Sequence, residues 1–383
     1  MYDGIIIHYN EIATKGKNRS FFENKLISNI IFRIDKKHKV FKKYGLVYIS
    51  LENNYKLEEI KSILTKIPGI AYFSFVKKAK LDLEDIKKTS VSFLKEISFK
   101  TFKCESKRSN KNFLYKSPEI NKILGEEIIN SLDKTVDVKT PDLILFVEVC
   151  EKEAYVFSDK IKGIGGLPVG SSAKVICSLS GGIDSPVSAY LFMKRGSSVT
   201  FVHFYNNNLV KREVLEKIKK LTLILSKYQP NTKLFIVPFS DIQKNIIANI
   251  PSDYRMIIYR RYMFKIINKI AKQEKIKAVI TGDNIGQVAS QTIENIKTIY
   301  SSSNIPIFSP LIAFDKNEII KISKEIETYE TSIVPYPDCC SFMLSKHPKT
   351  KTDLDEILAL EKNILDEDKM IKDTLLKTEI FKF

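Results

Sequence analysis

Short apolar runs and helical spacings alternate along this chain, and the rhythm changes near residue 165. In the first stretch, Gly4–Tyr9 is a continuous apolar run of strand type, and Phe22, Leu26 and Ile30 recur at helical spacing. Tyr44–Leu51 is β-branched and aromatic, as strands are. Leu57, Ile60, Ile63, Leu64 and Ile67 trace a second helix face, and a Pro68-Gly69 turn leads into a strand over Ile70–Val76. The order β-α-β-β-α-β over residues 1–77 predicts a ferredoxin-like unit. That fold hosts many activities and by itself names none.

Residues 78–162 open with a charged amphipathic helix and then turn basic, with seven Lys/Arg against two Glu between Phe99 and Gly125. Leu143–Val149 and Ala154–Phe157 read as a closing pair of strands. The glycine- and proline-rich run Lys162–Gly170 follows and predicts a domain boundary, with the last domain over residues 163–383. Beyond it the runs Val175–Leu179, Val199–Phe204, Leu234–Val237 and Ala278–Thr281 alternate with helical patterns such as Val214–Leu225 and Tyr259–Ile270. That alternation predicts a doubly wound parallel sheet covered by helices on both faces, with ligands at the carboxyl ends of its strands. Leu354–Phe383 reads as one charged amphipathic helix closing the domain. The fold class is thus multidomain, α+β followed by α/β, and no fixed-period repeat interrupts it.

Charge changes the picture most. The 383 residues carry 62 Lys+Arg against 45 Asp+Glu, a net charge of +17. Such an excess suits a polyanionic partner, with nucleic acid ahead of a membrane surface, although a Lys/Ile/Asn-rich composition produces the same number without one. No apolar run approaches the roughly 18 residues of a membrane span, and the start lacks a basic region followed by a long apolar one, so neither an anchor nor a signal peptide is expected. Five cysteines, an odd count without a CxxC pair, argue against a disulfide scaffold or zinc ribbon and for a reducing, cytoplasmic setting.

The densest chemistry stands at the end of the first strand of the last domain: Ser180-Gly181-Gly182-Ile183-Asp184-Ser185-Pro186. Two glycines allow a tight turn and close backbone approach, two serines offer hydroxyls, and Pro186 suits the first turn of the helix that follows. A helix N-terminus facing a strand end is an anion site. The GK[ST] ending of a Walker A loop is absent.

Ser180–Ser185 matches the SGGxDS signature of the PP-loop ATP pyrophosphatases, which adenylate a substrate and release pyrophosphate. The opening Ile7–Arg19, read IHYNEIATKGKNR, resembles the RYGEIxLKGKNR start of ThiI-type tRNA 4-thiouridine synthetases. The basic stretch Ser106–Phe113 with Ser117 and Glu119–Asn121, and the stretch from Tyr155 to Gly170, resemble that family's THUMP domain. Thr281–Thr292, TGDNIGQVASQT, is similar to its TGDSLGQVASQT, and Cys339-Cys340-Ser341 with Ser345-Lys346-His347-Pro348 fall where it keeps a cysteine and a KxP segment. Four ordered motifs span essentially the whole chain.

The resemblance implies an ATP site of Ser178, Leu179, Ser180, Gly181, Gly182, Asp184, Ser185, His203, Phe204, Arg260, Gly282 and Gln291. Arg260 offers a charged fork to a phosphate, though Arg261 beside it differs only in spacing. Asp184 is the carboxylate expected near Mg²⁺, since hard cations favour oxygen ligands beside phosphates. Cys340 is expected to carry persulfide sulfur, its thiolate favoured by Lys346, His347 and Lys349, with Cys339 as the alternative. Cys104, Cys150 and Cys177, in strand-like runs, read as inert core residues. Lys107, Arg108, Lys111 and Lys116 are expected to contact tRNA phosphates.

The activity implied is adenylation of the C4 oxygen of uridine 8 in tRNA and its replacement by sulfur, giving 4-thiouridine. The chain ends at Phe383, soon after His347, so the rhodanese domain of some members is expected to be absent, and a cysteine desulfurase would deliver sulfur directly. A sulfur-carrier protein for thiamine thiazole synthesis is a second acceptor in keeping with the family, as is a homodimer. An RNA-binding module with a vestigial nucleotide site, or an enzyme acting only on the carrier protein, are the rival readings.

Overall fold

The computed structural model describes residues 2–52, 54–206, 212–335, 345 and 347–383. The chain divides into two compact units, Met1–Pro168 and Val169–Phe383, parting inside the glycine- and proline-rich run.

The first unit contains β1 (Gly4–His8), α1 (Arg19–Arg33), β2 (Lys39–Lys43), β3 (Leu46–Ser50), α2 (Leu57–Leu64), β4 (Tyr72–Lys80), α3 (Leu83–Lys95), β5 (Thr101–Arg108), α4 (Ser117–Leu132), β6 (Thr135–Val136), β7 (Leu143–Val149), β8 (Glu153–Phe157) and β9 (Ile161–Lys162). Its strands form one sheet in the order β2-β3-β1-β4-β8-β7-β5-β6, with β9 also paired to β4. The length of β4 joins the halves. Its first residues pair with β1, from His8↔Tyr72 to Gly4↔Val76, and its last pair with β8, from Lys77↔Val156 to Lys80↔Glu153. Leu26 and Ile30 of α1 and Ile60 and Leu64 of α2 pack on Ile5, Val47 and Phe73, while Ile86 and Phe93 of α3 and Ile120 and Leu124 of α4 pack on Phe102, Leu145 and Val156. The alternation of strand side chains between faces makes these sets possible, because only every second residue meets the helices. Arg19, the last residue of the opening motif, donates to the buried Glu23 one turn on at 2.8 Å and to the Tyr9 hydroxyl at 2.8 Å, and Tyr9 donates to Glu23. Tyr9 and Arg19 of the motif, with Glu23 one turn into α1, fasten α1 to the end of β1.

The second unit contains β10 (Lys174–Ser178), α5 (Asp184–Lys194), β11 (Ser198–Tyr205), α6 (Arg212–Ser226), β12 (Lys233–Pro238), α7 (Ser240–Asn249), α8 (Arg255–Glu274), β13 (Ala278–Ile280), α9 (Ile293–Tyr300), β14 (Ile307–Phe308), α10 (Lys316–Glu325), α11 (Tyr329–Ser332), α12 (Leu354–Glu361), α13 (Glu367–Leu376) and β15 (Glu379–Lys382). The sheet order is β14-β13-β10-β11-β12-β15, and every pair is parallel except β12 with β15. From β10 the chain winds outward through β11 and β12, then returns to lay β13 on the other side of β10. The reversal leaves a crevice beyond the carboxyl ends of β10 and β13. Among the described residues, no helix is long and apolar enough to cross a membrane.

The C-terminal run differs from the single amphipathic helix expected of it. Asp366 adopts a left-handed conformation, φ 56°, which separates α12 from α13. Glu379–Lys382 then forms an antiparallel edge strand, with Phe381 opposite Leu234. Helical spacing cannot distinguish a long helix from two shorter ones folded back on the same core.

Candidate active site

The crevice holds a cleft of about 300 Å³, lined by Ser178 at the end of β10 and Ser180 after it, Asp184 and Ser185 at the start of α5, Thr281, Gly282 and Asp283 after β13, and Arg260 of α8. Met256, Met263, Phe264 and Ile267 add an apolar wall from α8, and Val288, Ser290 and Gln291 close the far side. The α8 contributors fall at successive turns of one face, as 3.6-residue periodicity dictates.

The loop between β10 and α5 is folded by its own hydroxyls. Ser185 Oγ accepts from the Ser180 backbone N–H at 2.9 Å and lies 3.0 Å from Ser180 Oγ, which accepts from the Gly182 N–H at 3.3 Å. These bonds hold the turn so that the positive end of α5 faces the cleft, where an anion is favoured. Gly282 lets β13 approach it. A Cβ at that position would lie 2.8 Å from the Ser185 nitrogen and 3.0 Å from the Asp184 carbonyl carbon.

Two carboxylates face the cleft, each tied to a cation. Asp283 accepts from Arg260 Nη2 at 2.6 Å, Tyr300 Oη at 2.7 Å and Gln291 Nε2 at 3.1 Å. Burial alone would raise its pKa, but the Arg260 charge and these three donors overcome that and hold it below the ordinary Asp value. Burial and the Asp283 charge together push the Tyr300 phenol up to about 12, so it remains a donor. Asp184 accepts from Lys316 Nζ at 2.7 Å and from Gln287 Nε2 at 3.1 Å. The loop carrying Gln287 turns at Gly286, whose φ of 74° suits glycine.

The expected residues divide into three groups. Ser178, Ser180, Asp184, Ser185, Arg260, Gly282 and Gln291 meet at the cleft, and Gly181 and Gly182 lie in the loop beneath it. Leu179, His203 and Phe204 are buried beside it rather than lining it. His203 Nδ1 donates to the Leu179 carbonyl at 2.8 Å, Leu179 N–H donates to Val202, and the Phe204 ring meets Phe239 edge-on at 5.5 Å. Cys339, Cys340 and Lys346 lie outside the described residues.

Arg261, indistinguishable from Arg260 by composition, points elsewhere. It pairs with Glu361 through two bonds of 2.9 and 3.0 Å and donates to Ser301 Oγ at 2.8 Å. Lys316, Gln287, Asp283 and Tyr300 were not singled out from sequence. Lys316 stands 132 residues from Asp184 in an ordinary amphipathic helix, so no local pattern announces it. Cys104, Cys150 and Cys177 are buried, and burial raises all three thiols, Cys104 and Cys150 to about 12.

In the first unit, Lys107 and Arg108 end β5 and Lys111 and Lys116 lie exposed in the segment that follows. Lys107 Nζ is 3.5 Å from Glu148, and Arg108 Nη1 donates to the Phe113 carbonyl at 3.0 Å. Arg108 therefore shapes the loop that presents Lys111.

The family described as thiamine biosynthesis protein (ThiI) matches residues 170–365, the ThiI ferredoxin-like domain residues 4–74, and the THUMP domain residues 80–159. The chain is 43% identical to a probable tRNA sulfurtransferase of Thermoanaerobacter pseudethanolicus, over 95% of this chain and 96% of that one. It is 42% identical to a probable tRNA sulfurtransferase of Acetivibrio thermocellus, over 98% and 97% respectively. A crystal structure of a 4-thiouridine synthetase–RNA complex with bound ATP aligns with TM-score 0.91 and 35% identity, over the whole of both chains.

Proposed function

This chain belongs to the ThiI family of tRNA sulfurtransferases, and from that premise we propose that it converts uridine 8 of tRNA to 4-thiouridine in two steps. The observation that carries the reading is the cleft itself: a serine- and glycine-folded helix N-terminus, Arg260 and the Lys316–Asp184 pair converge at the switch point of the sheet. The chain's overall likeness to a synthetase crystallised with RNA and ATP supports the substrates.

In this reading the phosphates of ATP lie over residues 180–185, and Met263, Phe264 and Ile267 supply the apolar side of the cleft. Arg260, oriented by Asp283, and Lys316 bring positive charge to the phosphates. The uridine C4 oxygen attacks the α-phosphorus, an O–P bond forms, the α–β bridge breaks and pyrophosphate leaves. The carbonyl oxygen, a poor leaving group, has become part of AMP. A persulfide on Cys340 then attacks C4 and AMP departs. A second thiol, Cys339 or an external one, attacks Cys340 Sγ, which leaves the outer sulfur on the uridine and a disulfide that a thiol reductant reopens. A cysteine desulfurase loads the persulfide, and a sulfur-carrier protein is a second acceptor of the same chemistry.

Magnesium fits this site as a companion of the nucleotide rather than in a protein cage. Among the described residues there is no cluster of three His, Cys, Asp or Glu for a metal, and Mg²⁺ ordinarily takes one or two carboxylates plus phosphate oxygens. Asp184 would hold it, displacing Lys316, and the ion would neutralise phosphate charge.

Lys107, Arg108, Lys111 and Lys116 position the tRNA backbone in this reading, without reading its sequence. The test is incubation of the protein with unmodified tRNA, ATP, Mg²⁺, cysteine and a desulfurase, followed by a mercury-affinity gel. A retarded band that requires ATP and Cys340 is expected. Binding of tRNA without ATP-dependent pyrophosphate release would support the binding-module reading instead.

A further inference from the structure

The described chain on either side of the segment that carries Cys339 and Cys340 is held by buried polar side chains. On the upstream side, Lys217 of α6 is buried, 7% exposed, and its ammonium donates to the carbonyls of Ser332, at 2.9 Å, and Val334. These carbonyls belong to the end of α11 and the residues just after it, where orphan acceptors attract a cation. On the downstream side, Asn295 of α9 is completely buried. Its Nδ2 donates to Lys349 O at 2.9 Å and to Ala289 O at 2.7 Å, and its Oδ1 accepts from Thr352 Oγ1 at 2.8 Å. Thr292 adds a bond from its hydroxyl to Thr350 O at 2.6 Å.

One buried side chain therefore links the downstream stem to Ala289, which belongs to the loop whose Val288, Ser290 and Gln291 line the cleft. Lysine is rarely buried in a helix that apolar residues could fill, and desolvation lowers the Lys217 pKa. Both devices use polar groups that fix position and direction, one just before the cysteine segment and one a few residues after it.

We propose that Lys217 and Asn295, with Thr352, are positioning residues that fix both ends of the cysteine segment relative to the nucleotide cleft and so set the rate of sulfur transfer without contributing to adenylation. The inference rests on the proposed function, in which a cysteine-borne persulfide reaches an adenylated uridine. Misplacing a reacting atom by about 1 Å costs on the order of 100-fold in rate, so loss of either tether should slow transfer by roughly 10- to 100-fold.

The experiment compares Lys217→Met and Thr352→Val with the wild type in three assays on unmodified tRNA: ATP-dependent pyrophosphate release, thiolation fed by cysteine and a desulfurase, and thiolation fed by sodium sulfide. Free sulfide attacks the adenylate without using Cys340. The expected pattern is unchanged pyrophosphate release and sulfide-fed thiolation, slowed desulfurase-fed thiolation, and recovery in Thr352→Ser, which keeps the hydroxyl. Retained pyrophosphate release also certifies that the variants fold. Desulfurase-fed thiolation at the wild-type rate in both variants overturns the inference, and so does loss of pyrophosphate release, which would place these residues in the fold or the nucleotide site. Absence of thiolation in the wild type under both sulfur sources instead overturns the underlying reading.

Discussion

Gly282→Ala tests how tightly the two strand ends are fitted. The added methyl carbon would stand 2.8 Å from the Ser185 nitrogen, 3.0 Å from the Asp184 carbonyl carbon and 3.1 Å from Asp184 Cβ, where ordinary contact begins at 3.4 Å. Two of the three atoms are backbone at the start of α5, so no side chain can swing aside. The loop must retreat by about half an ångström, and overpacking of this kind costs about 1–3 kcal/mol. At roughly 2–4 °C per kcal/mol for a unit of this size, the melting temperature should fall by about 2–12 °C. The retreat moves the hydroxyls and amides that face the phosphates, so ATP-dependent pyrophosphate release should lose roughly 10- to 100-fold in kcat/KM. A melting curve and a coupled pyrophosphate assay measure both. An unchanged melting temperature with unchanged kcat/KM would refute the packing argument. A lowered melting temperature with full activity would show that the strain relaxes away from the cleft.

Other predictions follow from the charges. Asp283 has a folded pKa below its unfolded value near 3.8, so its stabilising contribution is fully present above that value and is lost as pH falls through the folded one. Asp283→Asn should therefore be less stable than wild type at pH 7, with the gap narrowing below about pH 4, as urea titrations across pH 3–7 would show; a gap independent of pH would refute it. Lys316→Met should lower pyrophosphate release by about 100-fold, the usual scale for removing a group that stabilises developing charge, while tRNA affinity measured by filter binding stays unchanged. Replacing Lys107, Lys111 and Lys116 together by Ala should weaken tRNA binding for all sequences alike and reduce its salt slope by about one for each phosphate that is no longer neutralised. A retained slope would move the RNA surface elsewhere.

The parallel sheet and most helices were legible because burial on both faces demands continuous apolar strands, and helices packed on one side repeat every third or fourth residue. Val175–Leu179 falls within one residue of β10, and Ser180–Ser185 forms the loop at its end and the first residues of α5. The edges were less legible. The sequence of β2, KVFKK, is mostly charged because it borders solvent, and β14 has two residues, too few for any period. Within the site, Ser180–Ser185, Gly282 and Gln291 could be read from their motifs, whereas Asp283 and Gln287 gain their roles only from partners brought in by tertiary packing, as Lys316 and Tyr300 are from distant helices. Glu361 was equally silent: a single acidic residue in a charged stretch gives no sign that it will be buried against Arg261.

Arg260 and Arg261 show what decides such cases. Adjacent helical residues point about 100° apart, so α8 can present only one of them to the cleft. The choice is made by the other one. Arg261 is 3% exposed and is gripped by Glu361 of α12, by the Thr298 carbonyl and by Ser301, on two separate elements. Any rotation of α8 that carried Arg260 away from Asp283 would break that buried pair, and breaking one costs about 3–5 kcal/mol. Lys265 one turn later adds pairs to Glu361 and Glu367, extending the lock to α13. The C-terminal helices, which contain none of the motifs, thereby set the rotation of the helix that delivers the cleft's arginine. Their sequence carries no signature of the chemistry because their contribution is geometric: they hold α8 in the one orientation in which Asp283, Gln291 and Arg260 can meet.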